Sequence, residues 1–347
     1  MVEVLNSETP DSAISATYFS AAEIDDLAQL GSYLDVVVVC RAQLTNPLAR
    51  LIARMKSCGV PVVYDLDDYV FDPDLAPLLI DTFGLAVDSE PNLTRWFSYC
   101  ARIGAALRLC DAAFVTSEAL GRELSRATGV PYSVVPNFVN QEQERESELI
   151  WRQKAGVNFG HGGSWGIGYF SGSPSHDRDF RMVSGALIAL MKADPAVKLR
   201  VVGFLDPDPE LLAFGDRVER IGLQDTLTLQ WLVGEVDVSI APLQDNVFTA
   251  CKSDLKWFEP ALVGTVVIAS PAGTMGARIV DGQNGRVARS YEWHRVLREV
   301  IGDGESCRAI AQRARTQAIA DCTPMRQRTR IRDALAMARA LRRPGTS

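Results

Sequence analysis

Lys252, Lys256 and Glu259 are spaced by four and three residues, so two cations and a carboxylate share one stripe if helical geometry extends back to Lys252. Lysines at such a place suit phosphate charge, and a glutamate beside them can accept from the diol of a ribose. Ser253 reads as an N-cap, which starts the helix near Asp254 and aims its first free amides at the same spot. A helix N-terminus flanked by a lysine is an anion site, and each charge-assisted hydrogen bond there contributes about 1.5–3 kcal/mol. The competing reading is a solvated salt-bridge face. The position of the stripe, just past the apolar run VDVSIAPL with its Pro242, favours the ligand. Pro260 complicates the helix, because its ring is expected to clash with the Lys256 carbonyl.

Ligands of parallel α/β sheets bind beyond the carboxyl ends of the strands. Two more segments qualify. In SGSPSHDRDF, Gly172 and Ser173 let a ligand approach the backbone while His176 and Arg178 offer positive charge; Gly203 forms the second turn. In the first half, Asp65, Asp67 and Asp68 end an apolar run. Contact with an acceptor, turn or N-cap chemistry, and divalent-metal binding all remain open for them. Asn137 is a hinge residue or another acceptor-side contact. His161 and His294 read as structural or exposed.

The elements that must position these groups alternate. VVVVC, PVVYDLDD, AAFVTS and YSVVPNF are strand-like, with NPLARLIARMKSCG and EALGRELSRATG as glycine-terminated helices between them. The pattern implies a parallel sheet. A polar, then glycine-rich stretch follows. After it IGYFSG, VKLRVVGF, VDVSIAPL and TVVIAS restart the alternation, with LTLQWL as a short strand and a helical, arginine-rich end. We therefore expect a first Rossmann-like domain over 1–150, a linker over 151–165, a second domain over 166–320, and a C-terminal helix over 321–347 that crosses back to the first.

Composition narrows the function. A net charge of −7 argues against general nucleic-acid binding. The seven scattered cysteines include no CxxC pair and read as reduced thiols. The start MVEVLNSETPDS lacks the features of a signal peptide, and no apolar run approaches the roughly 18 residues of a membrane span. A cytoplasmic location is expected. Arginines in QRTRIRDALAMARALRRPG could hold it at the inner face of a membrane, or belong to a surface helix.

The segment VDVSIAPLQDNVFTACKSDLKWFEPALVGTVVIAS resembles the donor-site segment of family 4 glycosyltransferases, in the subgroup with Asp-Asn-x-Phe-x-x-x-Lys-Ser-x-Leu-Lys. VVYDLDDYVF, FVTSEALGRELSRATGVPYSVVPNFVN and DGQNGRVARSYEWHRVLREVI resemble other parts of that subgroup. The resemblance implies an α/β fold of the GT-B kind: two Rossmann-like domains facing each other across a cleft, here with a short N-terminal domain. It implies a UDP- or GDP-sugar donor, a glycan or lipid-linked acceptor, transfer with retention, and no metal. Glu259 would hold the ribose, the backbone from Lys252 through Ser253 and Asp254 to Leu255 would meet the diphosphate, and Asn246 and Phe248 would belong to the donor site. The chain departs from the family's Glu-x7-Glu pair, since Cys251 stands eight residues before Glu259. A nucleotide-sugar epimerase and a non-catalytic sugar-nucleotide or glycan-binding module remain as alternatives.

Overall fold

The computed structural model describes residues 1–6, 14–156, 159–160, 163–172 and 177–342. The chain forms two compact units. One comprises Met1–Asp81, Leu85–Asn137 and Pro324–Ser347; the other comprises Thr82–Gly84 and Phe138–Thr323.

In the first unit, strands β1 (Val37–Cys40), β2 (Val62–Leu66), β3 (Ala112–Val115) and β4 (Tyr132–Val134) pair in sequence order, all parallel. Their β-branched and apolar runs suit a sheet covered on its faces. The helix Asn46–Ser57 is capped by Thr45, whose hydroxyl accepts from the Leu48 amide, and it buries Leu48, Leu51, Ile52 and Met55 at helical spacing. The helix Glu118–Thr128 starts on Ser117 and ends on Gly129 at φ 73°. Within the same unit, the helix Pro324–Arg339 buries Gln327, Ile331, Ala334 and Ala338 along one stripe.

The second unit differs from the sequence expectation in its bounds. The units divide between Asn137 and Phe138, and residues expected to end the first domain and open a linker form the helix Gln141–Ala155 of the second. Asn140 and Gln143 make a reciprocal capping box, and Gln143, Ser147 and Ile150 are buried at i, i+4 and i+7. A mostly polar sequence concealed that stripe. Lys154, at the helix end, donates to the Val236 carbonyl (2.5 Å) and the Thr265 hydroxyl (2.6 Å).

Strands β5 (Trp165–Ser171), β6 (Val197–Gly203), β7 (Val218–Ile221), β8 (Val238–Ala241), β9 (Val266–Ala269) and β10 (Arg286–Val287) make the second sheet, in the order β10-β9-β8-β5-β6-β7, all parallel. LTLQWL is not a strand. It lies in the helix Thr226–Gly234, whose start is fixed by the Asp225 carboxylate accepting from the Leu227 and Thr228 amides. The edge strand β7 replaces it in the sheet; its Glu219 and Arg220 are exposed, so it carries little apolar signal. The chain winds outward from β5 through β6 to β7, then returns to pair β8 on the other side of β5. That reversal is the switch point at which doubly wound sheets bind ligands.

Candidate active site

At the switch point, the loops after β5, β6, β8 and β9 leave the carboxyl edge of the second sheet. Gly203 ends β6 at φ 97°, and a Cβ there would lie 1.8 Å from the Ser171 carbonyl oxygen. The Phe204 amide donates to that same oxygen (3.2 Å). Only glycine allows this approach. Gly172, next along the β5 loop, is exposed. Ser173 and His176 lie outside the described residues, as does His161. Arg178 stands in the first turn of the helix Asp177–Ala193, its stem beside Gly84.

The loop after β8 is built by residues that sequence reading assigned partly to a ligand. The Asn246 side chain accepts from the Thr249 amide (3.0 Å) and donates to the Thr82 hydroxyl (3.2 Å), capping the helical turn Val247–Ala250. Phe248 is buried edge-on against Phe83, with centroids 5.5 Å apart. Both therefore shape the loop. Gln244 donates its backbone amide (3.0 Å) and side-chain amide (3.2 Å) to Asp179, and the side-chain amide also to the Thr82 carbonyl (3.1 Å). The part played by Thr82–Gly84, contributed from within the first unit's sequence, has no signal in that sequence.

The helix start also differs from expectation. Asp254, not Ser253, occupies the N-cap of the helix Leu255–Leu262. The Thr274 hydroxyl donates to the Lys252 carbonyl, which holds that residue out of helical register. Lys252 is therefore not on the helical stripe; its ammonium lies 4.6 Å from the Phe248 ring centroid. The Asp254 carboxylate does not turn back to cap the amides. It pairs with Arg278 (2.8 Å), which also pairs with Asp321 (2.6 Å) and lies 5.1 Å from the Trp257 ring centroid. The amides of Leu255 and Lys256, in the first turn, have no acceptor within the helix and suit an anion. Pro260 lies inside the helix, which ends two residues later, at Leu262.

Lys256 and Glu259 remain on one face of that helix. The Lys256 ammonium is buried without a hydrogen-bond partner among the described residues, 5.1 Å from the Tyr169 ring centroid. Burial pulls its pKa down to about 8, aided by the charge of Lys252 and opposed by those of Asp179 and Glu259. Burial pushes Glu259 up to about 7, against a hydrogen bond from Gln143 and the charge of Lys256. Asp179 is itself buried, in the turn that opens the helix after β5. The site thus joins residues from four helices, the ends of β5 and β6, and the loop after β8. Sequence reasoning found Lys256 and Glu259 but missed Gln143, Tyr169, Asp179, Gln244 and Arg278. The Asn140-x-x-Gln143 capping box was the one legible signal among them.

In the first unit, Asp65 lies at the end of β2, where burial and then Asp67 raise its pKa. Arg41, at φ 46°, pairs with Asp67 (3.0 Å) and Asp68 (3.4 Å), a partner sequence reading did not foresee. Among the described residues no group of three or more His, Cys, Asp or Glu could hold a metal. Asn137 is the last residue of the unit before the chain passes to the second. No described helix is long and apolar enough to cross a membrane.

Comparison by sequence finds no matching family model and no matching curated protein. Comparison of structures does find likenesses. Anabaena HepE in complex with UDP-glucose superposes with a TM-score of 0.60 at 18% identity, over 90% of this chain and 82% of that one. WaaG, a glycosyltransferase involved in lipopolysaccharide biosynthesis, gives 0.59 at 15% identity, over 93% and 87%. Sucrose-phosphate synthase from Thermosynechococcus elongatus gives 0.59 at 15% identity, over 93% and 81%. These likenesses fix the fold: two Rossmann-like domains with parallel sheets, as in GT-B glycosyltransferases.

Proposed function

We propose that the chain is a glycosyltransferase that takes its sugar from a nucleoside-diphosphate sugar bound at the carboxyl edge of the second sheet. The observation that carries this reading is the Lys256 ammonium: buried, unpartnered among the described residues, beside Glu259 and the first turn of its own helix. A buried cation without a partner is costly unless an anion completes it. A diphosphate does so, with Lys252 and the Leu255 and Lys256 amides supplying further positive charge, and Glu259 accepting from the ribose diol. HepE has been crystallised with UDP-glucose and with UDP, which favours a uridine nucleotide. A GDP-sugar donor fits the same charges.

Catalysis on this reading rests on positioning and on charge that grows on the departing β-phosphate. Front-face transfer of a hexosyl group with retention needs no base in the donor site. The acceptor, a glycan or lipid-linked sugar, would be met by the first unit through Asp65, Asp67, Asp68 and Arg41. The lysines do the work of a metal ion, so activity should survive EDTA. Calorimetry with UDP and GDP tests the donor site, and single-turnover assays with their sugars test the chemistry. Absence of binding to any nucleoside diphosphate would end the proposal.

A second reading has one observation in its favour. Cys251 is 1% exposed where the resembling family carries the first glutamate of its pair, so that position offers no carboxylate to a sugar ring. A module that binds a sugar nucleotide without transferring it would show affinity but neither transfer nor hydrolysis.

A further inference from the structure

We infer that the outer face of the helix Pro324–Arg339, together with Tyr33, is a docking surface for an anionic lipid membrane. The chain carries a net −7, yet this helix holds five arginines against one aspartate, a local +4. Its inner stripe of Gln327, Ile331, Ala334 and Ala338 is spent on the first unit. The outer face carries Arg326, Arg330, Met325 and Met337, the two methionines 72% and 64% exposed. Neither Arg326 nor Arg330 makes an ion pair among the described residues, whereas Arg328 turns inward to the Val4 carbonyl.

The C-terminal end of the surface adds an aromatic ring. Arg339 and Arg342 both pair with Asp35 at 3.2 Å. Tyr33 stands two residues before Asp35, at the end of the 3-10 turn Gly31–Tyr33. Tyr33 is 87% exposed. Exposed arginines and methionines on one helix, with a tyrosine near its far end, make the composition of an interfacial surface, with guanidinium groups for lipid phosphates and apolar groups for the acyl boundary. A nucleic acid would match the arginines but would have no use for exposed methionines, which is why a membrane is favoured.

This inference is independent of the donor-site reading and is tested without it. The full chain is sedimented with vesicles of phosphatidylcholine alone and with one-third phosphatidylglycerol. Binding is expected only to the anionic vesicles, weakening steeply as salt rises. The double variant Arg326→Gln, Arg330→Gln should bind them at least tenfold more weakly, at about fivefold per charge. Met337→Gln and Tyr33→Ser should each weaken binding while leaving its salt dependence unchanged. Unchanged thermal midpoints will show that the variants fold. No binding to anionic vesicles, equal binding to neutral ones, or full retention by the double arginine variant would overturn the inference. Arginine-dependent binding to an oligonucleotide without binding to vesicles would do so as well.

Discussion

The ammonium of Lys256 lies 5.1 Å from the centre of the Tyr169 ring and is buried without a hydrogen-bond partner among the described residues. The ring face offers it some quadrupole attraction, and the carboxylates of Asp179 and Glu259 act on it through space. Neither replaces the hydrogen bonds that an ammonium makes in water.

Lys256→Met should therefore separate stability from activity. Removing an incompletely satisfied buried charge leaves folding stability unchanged or raises it by about 1–2 kcal/mol. Turnover should fall roughly tenfold to a thousandfold, about 1.4–4 kcal/mol on the barrier, with a smaller loss of donor affinity. Urea unfolding and single-turnover kinetics read the two effects separately. A variant that unfolds more easily and turns over normally would make Lys256 a structural residue.

The same group makes donor binding pH-dependent. Its pKa of about 8 lies below the ordinary 10.5 of a lysine. A bound diphosphate restores the charged form, so binding at pH 8 to 9 should take up protons. Calorimetry in buffers of different ionisation enthalpy measures that uptake directly. In the Lys256→Met variant it should vanish; uptake that persists would assign the proton to another group.

Much of this arrangement was legible in the sequence, and the reasons for the misses are local. The strands β1 to β6, β8 and β9 announced themselves as largely apolar runs, whereas β7 is half polar and β10 has two residues. The stripe of Lys256 and Glu259 followed from spacing alone. Ser253 was misplaced because the register of Lys252 is set by Thr274, twenty-two residues away, and no local rule contains that bond. Asp179 and Gln244 meet only once β5 and β8 are neighbours, a consequence of the chain reversal at the centre of the sheet.

Gly203→Ala should be strongly destabilising. The new Cβ would meet the Ser171 carbonyl at 1.8 Å, and φ 97° is strained for any L side chain. Backbone would have to move on both β5 and β6, at a cost of about 3 kcal/mol or more. The urea midpoint should drop well below that of wild type. The variant Gly172→Ala should be nearly neutral by comparison, since a Cβ there meets nothing within 4 Å among the described residues.

Glu259→Gln tests the carboxylate through two measurements with opposite signs. In the folded chain Glu259 titrates near 7 because it is buried, against an ordinary 4.5. Between those values the folded state holds a proton that the unfolded state has lost. The contribution is present in full below pH 4.5 and is lost as pH rises through 7, with a slope of up to about 1.4 kcal/mol per pH unit. Glutamine cannot titrate, so wild type should lose stability relative to the variant between pH 5 and 7.5, and the variant should be the more stable protein at pH 8. Nucleotide affinity should move the other way. At pH 8 the ionised glutamate accepts from the ribose more strongly than an amide does, and the substitution should weaken binding by about tenfold. Urea unfolding across the pH range and calorimetry at pH 8 give the pair of readings. A variant that is stabilised at pH 8 but binds every nucleotide as tightly as wild type would leave Glu259 buried for a reason other than the donor, and would move the ribose to another part of the edge.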